Sequence, residues 1–203
     1  MSVANAYFEH LFSRSPDPWS MRERWYEKRK RDIALAALPQ HRYRRGFEAG
    51  CANGELSVRL AQRCDRLLCC DVSALAVTLA AERLQDAGHA RAYQARVPDQ
   101  WPGGAFDLIV ISELGYYLDA ADLRRMVERV RAALTADGAL LACHWRHPVA
   151  VCPQTGDQVH ACLHEHLHLN RSVRHEEADF LLEVWEGNEL SVADREGLTE
   201  RAP

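Results

Sequence analysis

The chain has 203 residues, of which 47% are hydrophobic and 27% charged, so it is long enough for one well-buried domain, residues 1–203, and too short for two. The formal net charge of −4 argues against broad nucleic-acid binding. No apolar run approaches the length of a membrane span, and the first residues lack the basic and apolar regions of a secretory leader, which predicts a soluble, cytoplasmic protein.

Two helices are predicted ahead of the first strand. Residues 7–12 place aromatic and leucine side chains at helical spacing, and a proline-containing loop ends that helix. A second helix is predicted to begin at Ser20, where Ser20 and Glu23 match a capping box, and to end before Pro39. We expect residues 1–44 to form a helical cap or lid next to a sheet.

Strands and helices then alternate, which is the pattern of a parallel α/β fold. The clearest strand is the continuous apolar run 105–112, and the following helix carries an apolar face from Leu123 to Leu134. Ser73 is expected to cap a helix that stops at Gly88. The predicted strands are residues 46–49, 67–72, 90–95, 105–112, 139–144, 164–173 and 178–185.

The most informative motif follows the first predicted strand and reads Gly50-Cys51-Ala52-Asn53-Gly54-Glu55. Glycine lets the backbone approach a ligand closely at a strand-to-helix turn, and Asp71 at the end of the second strand is placed to accept both ribose hydroxyl protons. A dinucleotide is not expected, because Glu55 stands where the last glycine of that fingerprint would lie and its carboxylate would repel phosphate. The motif therefore predicts a nucleoside ligand without phosphate.

This motif resembles the first motif of the class I S-adenosylmethionine-dependent methyltransferases, which is an acidic residue, any residue, then Gly-Cys-Gly-x-Gly. Glu48, Gly50, Cys51 and Gly54 match it, whereas Ala52 replaces the middle glycine. The resemblance implies S-adenosylmethionine as the cofactor. It also implies an α/β, Rossmann-like fold with a seven-stranded sheet whose last strand is antiparallel.

Two later segments, Asp71-Val72-Ser73 and residues 106–110, follow in the family's order, so the resemblance covers a core of residues 45–185 and leaves residues 186–203 as a tail. A narrower resemblance is to the nodulation protein S family, which is similar to small-molecule methyltransferases that methylate the free amine of a deacetylated chitooligosaccharide. It weakens after His144, so the reaction type is expected to transfer while the acceptor stays open. The segments that carry it are residues 7–12, 17–19, 24–30, 50–57 and 112–118.

The resemblance implies a set of cofactor contacts. Asp71 is expected at the ribose and Glu48 beneath the glycine loop, while only the backbone of Val97 is expected at the adenine because the neighbouring Arg96 has no acceptor in its side chain. Trp19 and Arg24 lie on the segment that caps the methionine end in relatives, where a guanidinium can pair with a carboxylate. The predicted cofactor-binding residues are Trp19, Arg24, Glu48, Gly50, Cys51, Ala52, Gly54, Asp71, Val72, Val97 and Ser112.

Methyl transfer from a sulfonium is an in-line displacement that needs alignment, and an amine acceptor must also lose a proton. Glu113, directly after the fourth predicted strand, is the leading candidate to accept that proton, with His144 and Tyr116 as alternatives. A backbone-only contact of Glu113 with the cofactor is an equal alternative.

The histidine run between His160 and His168 is not expected to bind metal, because its side chains scatter if the segment is helical and form the polar side of an edge strand if it is extended. Seven cysteines without a Cys-x-x-Cys pair do not predict a disulfide framework. The leading function is methylation of a sugar-derived amine or a similar small polar acceptor. The alternatives are another small molecule, an RNA-like target of the basic segment 22–31, and a noncatalytic cofactor-binding module.

Overall fold

The computed structural model describes residues 1–199, and within them seven strands form one continuous sheet. Their order across the sheet is β3-β2-β1-β4-β5-β7-β6, and β7 runs antiparallel to both of its neighbours. This architecture confirms the predicted Rossmann-like α/β sheet with an antiparallel last strand. The strands are β1 (Gly46–Ala49), β2 (Leu67–Asp71), β3 (Ala90–Gln94), β4 (Phe106–Ser112), β5 (Leu134–Trp145), β6 (Asn170–Glu176) and β7 (Phe180–Glu186).

Helices cover both faces of this sheet, because successive side chains of a buried strand point to opposite sides. On β4, Ile109 and Ile111 belong to the core shared with α5 and α6, whereas Leu108 and Val110 belong to the core shared with α2 and α3. None of the described helices is long and apolar enough to cross a bilayer. The helices are α1 (Asn5–Arg14), α2 (Trp25–Ala36), α3 (Ser57–Ala61), α4 (Ala74–Arg83), a 3₁₀ helix (Gly115–Tyr117), α5 (Ala120–Ala133), α6 (Gly156–Leu167) and α7 (Val192–Arg195).

The second helix begins later than the sequence predicts. Ser20 has a φ of 56° and its side chain caps nothing, so the predicted capping box with Glu23 is wrong. The carboxylate of Asp17 instead accepts hydrogen bonds from the backbone N–H groups of Met21 and Arg22, at 2.8 and 3.0 Å. These bonds stabilise a separate turn, and α2 starts only at Trp25. In contrast, the predicted cap at Ser73 is confirmed, since its hydroxyl accepts from Ala76 N.

The histidine run lies mainly in a helix rather than in a strand. A capping box between Thr155 and Gln158 starts α6, which continues to Leu167, and His168 then turns the chain with a φ of 53°. The prediction of a strand over residues 164–173 is therefore wrong in its first half, because β6 begins at Asn170. Within residues 1–199, no group of three or more His, Cys, Asp or Glu side chains has the arrangement of a metal site.

Candidate functional site

The glycine loop joins β1 to α3 and lies against the end of β2. Gly50, Ala52 and Gly54 all have positive φ, at 77°, 47° and 81°, so the loop turns in a conformation that favours glycine. The N–H groups of Gly50 and Cys51 both donate to the carbonyl of Cys70, at 2.8 and 2.9 Å. The loop is thereby held next to the carboxylate that follows Cys70.

That carboxylate is Asp71, and its side chain is fixed from both sides. One oxygen accepts from Ala52 N and the other from Ser73 N, each at 2.9 Å. Burial raises the pKa of Asp71, and these backbone N–H groups partly offset the effect. Each carboxylate oxygen can accept a further hydrogen bond, so the two oxygens of Asp71 can accept from two neighbouring hydroxyl groups.

Glu48 lies at the floor of the site with only 2% of its surface exposed. The Ser57 hydroxyl donates to its carboxylate, which ties β1 to the start of α3. Burial raises the pKa of Glu48 to about 7 despite hydrogen bonds from Ser57 and Cys69, and the charge of Asp71 adds to the rise. The side chain therefore orders the loop through Ser57.

Gly54 serves the packing of two helices rather than the wall of the site. A Cβ at this position would lie 2.9 Å from the backbone Cα of Ala80 on α4. Together with its positive φ, this close approach explains why the loop has glycine here. Gly54 is absent from the residues that line the cavity.

A cavity of about 480 Å³ opens above the glycine loop, between the carboxyl ends of the parallel strands and the two cap helices. It is lined by all of the predicted cofactor-binding and catalytic residues except Gly54 and His144. The sheet therefore brings together side chains that are far apart in sequence. The lining includes Gly50, Cys51, Ala52, Asp71, Val72, Val97, Ser112, Glu113 and Tyr116 from the core, and Trp19, Arg24, Tyr26, Glu27, Lys30 and Arg31 from the cap.

Glu113 follows β4 directly and has a φ of 55°, which turns its side chain into the cavity wall. One carboxylate oxygen accepts from Lys30 Nζ at 2.6 Å. The other accepts from the Tyr116 hydroxyl at 2.5 Å and from Trp145 N at 3.0 Å. The carboxylate is thus held in one orientation by groups from the cap, the 3₁₀ helix and β5.

His144 does not reach the cavity. It is fully buried behind the wall, and its Nε2 accepts a hydrogen bond from Gly115 N at 3.0 Å. Burial lowers the pKa of His144, and the positive charge of Lys30 lowers it further. The expectation that His144 could take a proton from the acceptor is therefore corrected, since its one free nitrogen lone pair is already used inside the protein.

Comparisons with known proteins agree with this geometry. A family model described as a methyltransferase domain matches residues 47–140. A Pseudomonas syringae protein assigned as a methyltransferase is 59% identical, with a TM-score of 0.73 over 80% of this chain and 99% of that chain. The N-methyltransferase NodS from Bradyrhizobium japonicum WM9, in complex with S-adenosyl-L-homocysteine, is 26% identical, with a TM-score of 0.80 over 90% of this chain and 97% of that chain. This chain belongs to the class I S-adenosylmethionine-dependent methyltransferases.

This methyltransferase also resembles a curated relative, nodulation protein S from Sinorhizobium fredii (strain NBRC 101917 / NGR234). The two are 30% identical over 68% of this chain, and the chain spans 65% of the length of that relative. The predicted resemblance to the nodulation protein S family and the cofactor S-adenosylmethionine are confirmed by these matches.

Several charged cavity residues of the methyltransferase were not among the predicted site residues. Lys30, Arg31 and Glu27 belong to α2, where the sequence shows a basic cluster. Positions 30, 31, 34, 35 and 38 are all buried, so the two cations occupy the buried stripe of the helix. Charged residues at stripe positions were the signal that could have identified them.

The two predicted cap residues differ in their environments. The Trp19 ring packs edge-on against Phe12, with 5.7 Å between ring centroids, so it forms a firm part of the wall. Arg24 lies at the cavity rim and is exposed to solvent. Arg31, in contrast, is buried, and its Nε and Nη1 groups have no hydrogen-bond partner. A buried guanidinium with unused donors at a cavity wall is suited to bind an anion.

The pKa of Glu48 predicts a pH dependence of stability. An acid whose pKa rises from about 4.5 to about 7 on folding stabilises the fold below about pH 4.5, and this contribution is lost as the pH rises through 7. Between pH 4.5 and 8, the unfolding free energy of the parent should fall by about 3 kcal/mol relative to Glu48→Gln. Urea unfolding across this range checks it. Glu82→Gln, at an exposed position of α4, controls for the lost charge. Parallel pH profiles of the parent and Glu48→Gln would contradict the raised pKa of Glu48.

Proposed function

We propose that this enzyme N-methylates an amine of a sugar-derived or similar small polar acceptor. The observation that carries the proposal is the carboxylate of Glu113, fixed on the cavity wall at the end of β4. A carboxylate there can orient an ammonium group and accept its proton. The 26% identical structure of an N-methyltransferase and the 30% identical nodulation protein S support the same reaction type.

The aromatic side chains near Glu113 support a sugar-like acceptor. Tyr26 and Trp145 pack edge-on with 5.5 Å between ring centroids, and both line the cavity together with Tyr116. Aromatic faces contact the apolar faces of sugar rings, while the neighbouring charged groups can bind hydroxyl and amino groups. We also propose a cytoplasmic location, in keeping with seven cysteines that are all free thiols.

In the proposed mechanism the protein provides alignment and one proton acceptor. Bound S-adenosylmethionine supplies an electrophilic methyl group on a sulfonium. When the cofactor is bound, Asp71 would accept hydrogen bonds from the two ribose hydroxyl groups, and the backbone of Val97 would contact the adenine. Glu113 holds the acceptor ammonium and takes one of its protons, which leaves the nitrogen the lone pair with which it attacks the methyl carbon. The Tyr116 hydroxyl stabilises the carboxylate by donating to its second oxygen.

The substrate class is tested by S-adenosylhomocysteine release with matched sugars. Glucosamine and deacetylated chitooligosaccharides carry a free amine, whereas N-acetylglucosamine and chitin oligosaccharides differ only in their acetyl groups. We expect turnover with the free amines and none with the acetylated partners, because an amide nitrogen has no available lone pair. Mass spectrometry should place the methyl group on nitrogen. Equal turnover of both sets, or a methyl ether as product, would refute N-methylation.

We propose that Arg31, rather than Arg24, binds the carboxylate at the methionine end of the cofactor. Arg31→Met should weaken S-adenosylhomocysteine binding by about 10- to 100-fold, as expected for one charged hydrogen-bonding pair. The same variant should bind 5′-methylthioadenosine as the parent does, since that nucleoside lacks the carboxylate. Calorimetry measures both, with exposed Arg24→Met as the matched control. Equal losses for the two ligands would instead indicate a collapsed pocket.

The role of Glu113 is tested by Glu113→Gln, which keeps the shape and removes the basicity. We expect kcat to fall by about 10²-fold or more, with an unchanged affinity for S-adenosylhomocysteine. Glu27→Gln is the matched control, because Glu27 also binds Lys30, at 3.1 Å, and its loss perturbs the same cluster. A parental kcat in Glu113→Gln would contradict the role of Glu113 as proton acceptor and would mean that the site only aligns the two substrates.

A further inference from the structure

A hydrogen-bonded chain of buried polar groups leads from Gly115, next to the part of the cavity wall that carries Glu113, into the interior. Gly115 N donates to His144 Nε2 at 3.0 Å, and His144 Nδ1 lies 3.1 Å from His160 Nε2. His160 Nδ1 lies 2.7 Å from a carboxylate oxygen of Glu183. These three side chains are at most 2% exposed, and they come from β5, α6 and β7. None of them lines the cavity.

The backbone at one end fixes the direction of every hydrogen bond. Gly115 N–H can only donate, so His144 Nε2 must be the unprotonated nitrogen and His144 Nδ1 must carry the proton. His144 Nδ1–H then donates to His160 Nε2. His160 is left to donate from Nδ1–H to the Glu183 carboxylate. Both imidazoles are neutral in this arrangement, each held in a single tautomer.

The far end of the chain is anchored at the protein surface. The second oxygen of Glu183 accepts from Arg171 Nη1 at 2.8 Å and from Arg174 Nη1 at 3.2 Å. Burial alone would raise the pKa of Glu183, but the hydrogen bond from His160 Nδ1–H and the charges of both arginines outweigh that effect and lower it. The carboxylate is therefore kept ionised as the final acceptor.

The Gly115 end of the hydrogen-bonded chain lies beside Tyr116 and Glu113 on the cavity wall. Gly115 starts the 3₁₀ helix, and the next residue is Tyr116, whose hydroxyl donates to Glu113. A Cβ at Gly115 would lie 2.5 Å from Val159 Cγ1 and 3.0 Å from His144 Nε2, so this backbone is tightly packed. The hydrogen bond from Gly115 N therefore fixes the turn that carries the partner of Glu113.

We infer that His144, His160 and Glu183 are positioning residues that fix the 3₁₀ helix and, through Tyr116, the carboxylate of Glu113. The inference rests on the proposed role of Glu113 at the acceptor. The chain cannot carry the acceptor's proton to the surface, because it begins on a backbone amide that keeps its hydrogen. Its effect is geometric, since it sets where the carboxylate stands relative to the attacking nitrogen.

The first test replaces His144 in two ways. His144→Leu removes the acceptor for Gly115 N–H, and we expect kcat for deacetylated chitooligosaccharide to fall by about tenfold or more, with S-adenosylhomocysteine affinity within about twofold of the parent. His144→Gln can still accept from Gly115 and donate to His160, so it should recover most of the activity. His166→Leu, at a half-exposed histidine of α6 outside this set of hydrogen bonds, is the matched control. A parental kcat in His144→Leu would overturn the inference.

A double-mutant cycle separates this inference from the role of Glu113. If His144 acts through Glu113, the loss caused by His144→Leu should disappear in a Glu113→Gln background. Additive losses would overturn the inference and leave the role of Glu113 intact. A parental rate in Glu113→Gln alone would instead refute that role.

Nitrogen-15 NMR tests the chain without turnover. His144 should remain neutral and protonated at Nδ1 between about pH 5.5 and 8.5, and the Gly115 amide resonance should move in His144→Leu but not in His166→Leu. A proton on His144 Nε2 would overturn the inference whatever the activities show.

Discussion

The carboxylate of Glu113 connects parts of the protein that fold from distant stretches of sequence. Its three partners, Lys30, Tyr116 and Trp145, belong to the cap helix α2, the 3₁₀ helix and β5. Burial alone would lower the pKa of Lys30, but the charges of Glu113 and Glu27 outweigh that effect and raise it. The Lys30 ammonium therefore stays charged although the side chain is buried. Its ion pair with Glu113, which water screens poorly, holds the cap against the end of the sheet.

The part of the cavity beside the glycine loop is organised differently, by groups whose burial costs free energy. Asp71 and Glu48 both have raised pKa values because they are buried, and the Nε and Nη1 atoms of Arg31 have no hydrogen-bond partner. In a region built only for stability, such groups would be replaced by apolar ones. Their presence in one cavity gives it buried groups that can still bind a polar ligand.

The sheet could be predicted from the sequence because its signals are local. Apolar runs such as residues 106–110 and the glycine turn at Gly50 fix strand positions and the β1–α3 loop without knowledge of distant contacts. The start of α2 could not be predicted from a cap signal, because Asp17 holds Met21 and Arg22 in a separate turn and the true N-cap, Arg24, makes no side-chain cap hydrogen bond. The predicted strand over residues 164–173 was wrong in its first half for a related reason, since alternating polar residues are compatible with both a helix and an edge strand.

The cavity wall was predictable only where a motif exists. Asp71 and Glu113 each follow an apolar strand, so their place at one edge of the sheet follows from parallel topology. Arg31 belongs to no motif, and only its place on the buried stripe of α2 distinguishes it from the exposed arginines nearby. The hydrogen bonds that link His144, His160 and Glu183 could not be predicted either. They depend on the strand order and side-chain directions that bring β5, α6 and β7 together.

The position of the cap helix has a consequence for how this enzyme can diversify. The methyltransferase domain match covers residues 47–140, which include the cofactor loop, Asp71 and Glu113. Tyr26, Glu27 and Lys30, which complete the opposite wall, lie on a helix before that region. Substitutions in this one helix can therefore change that wall of the cavity while the glycine loop keeps its sequence. A short amino-terminal segment thus sets one wall independently of the domain match.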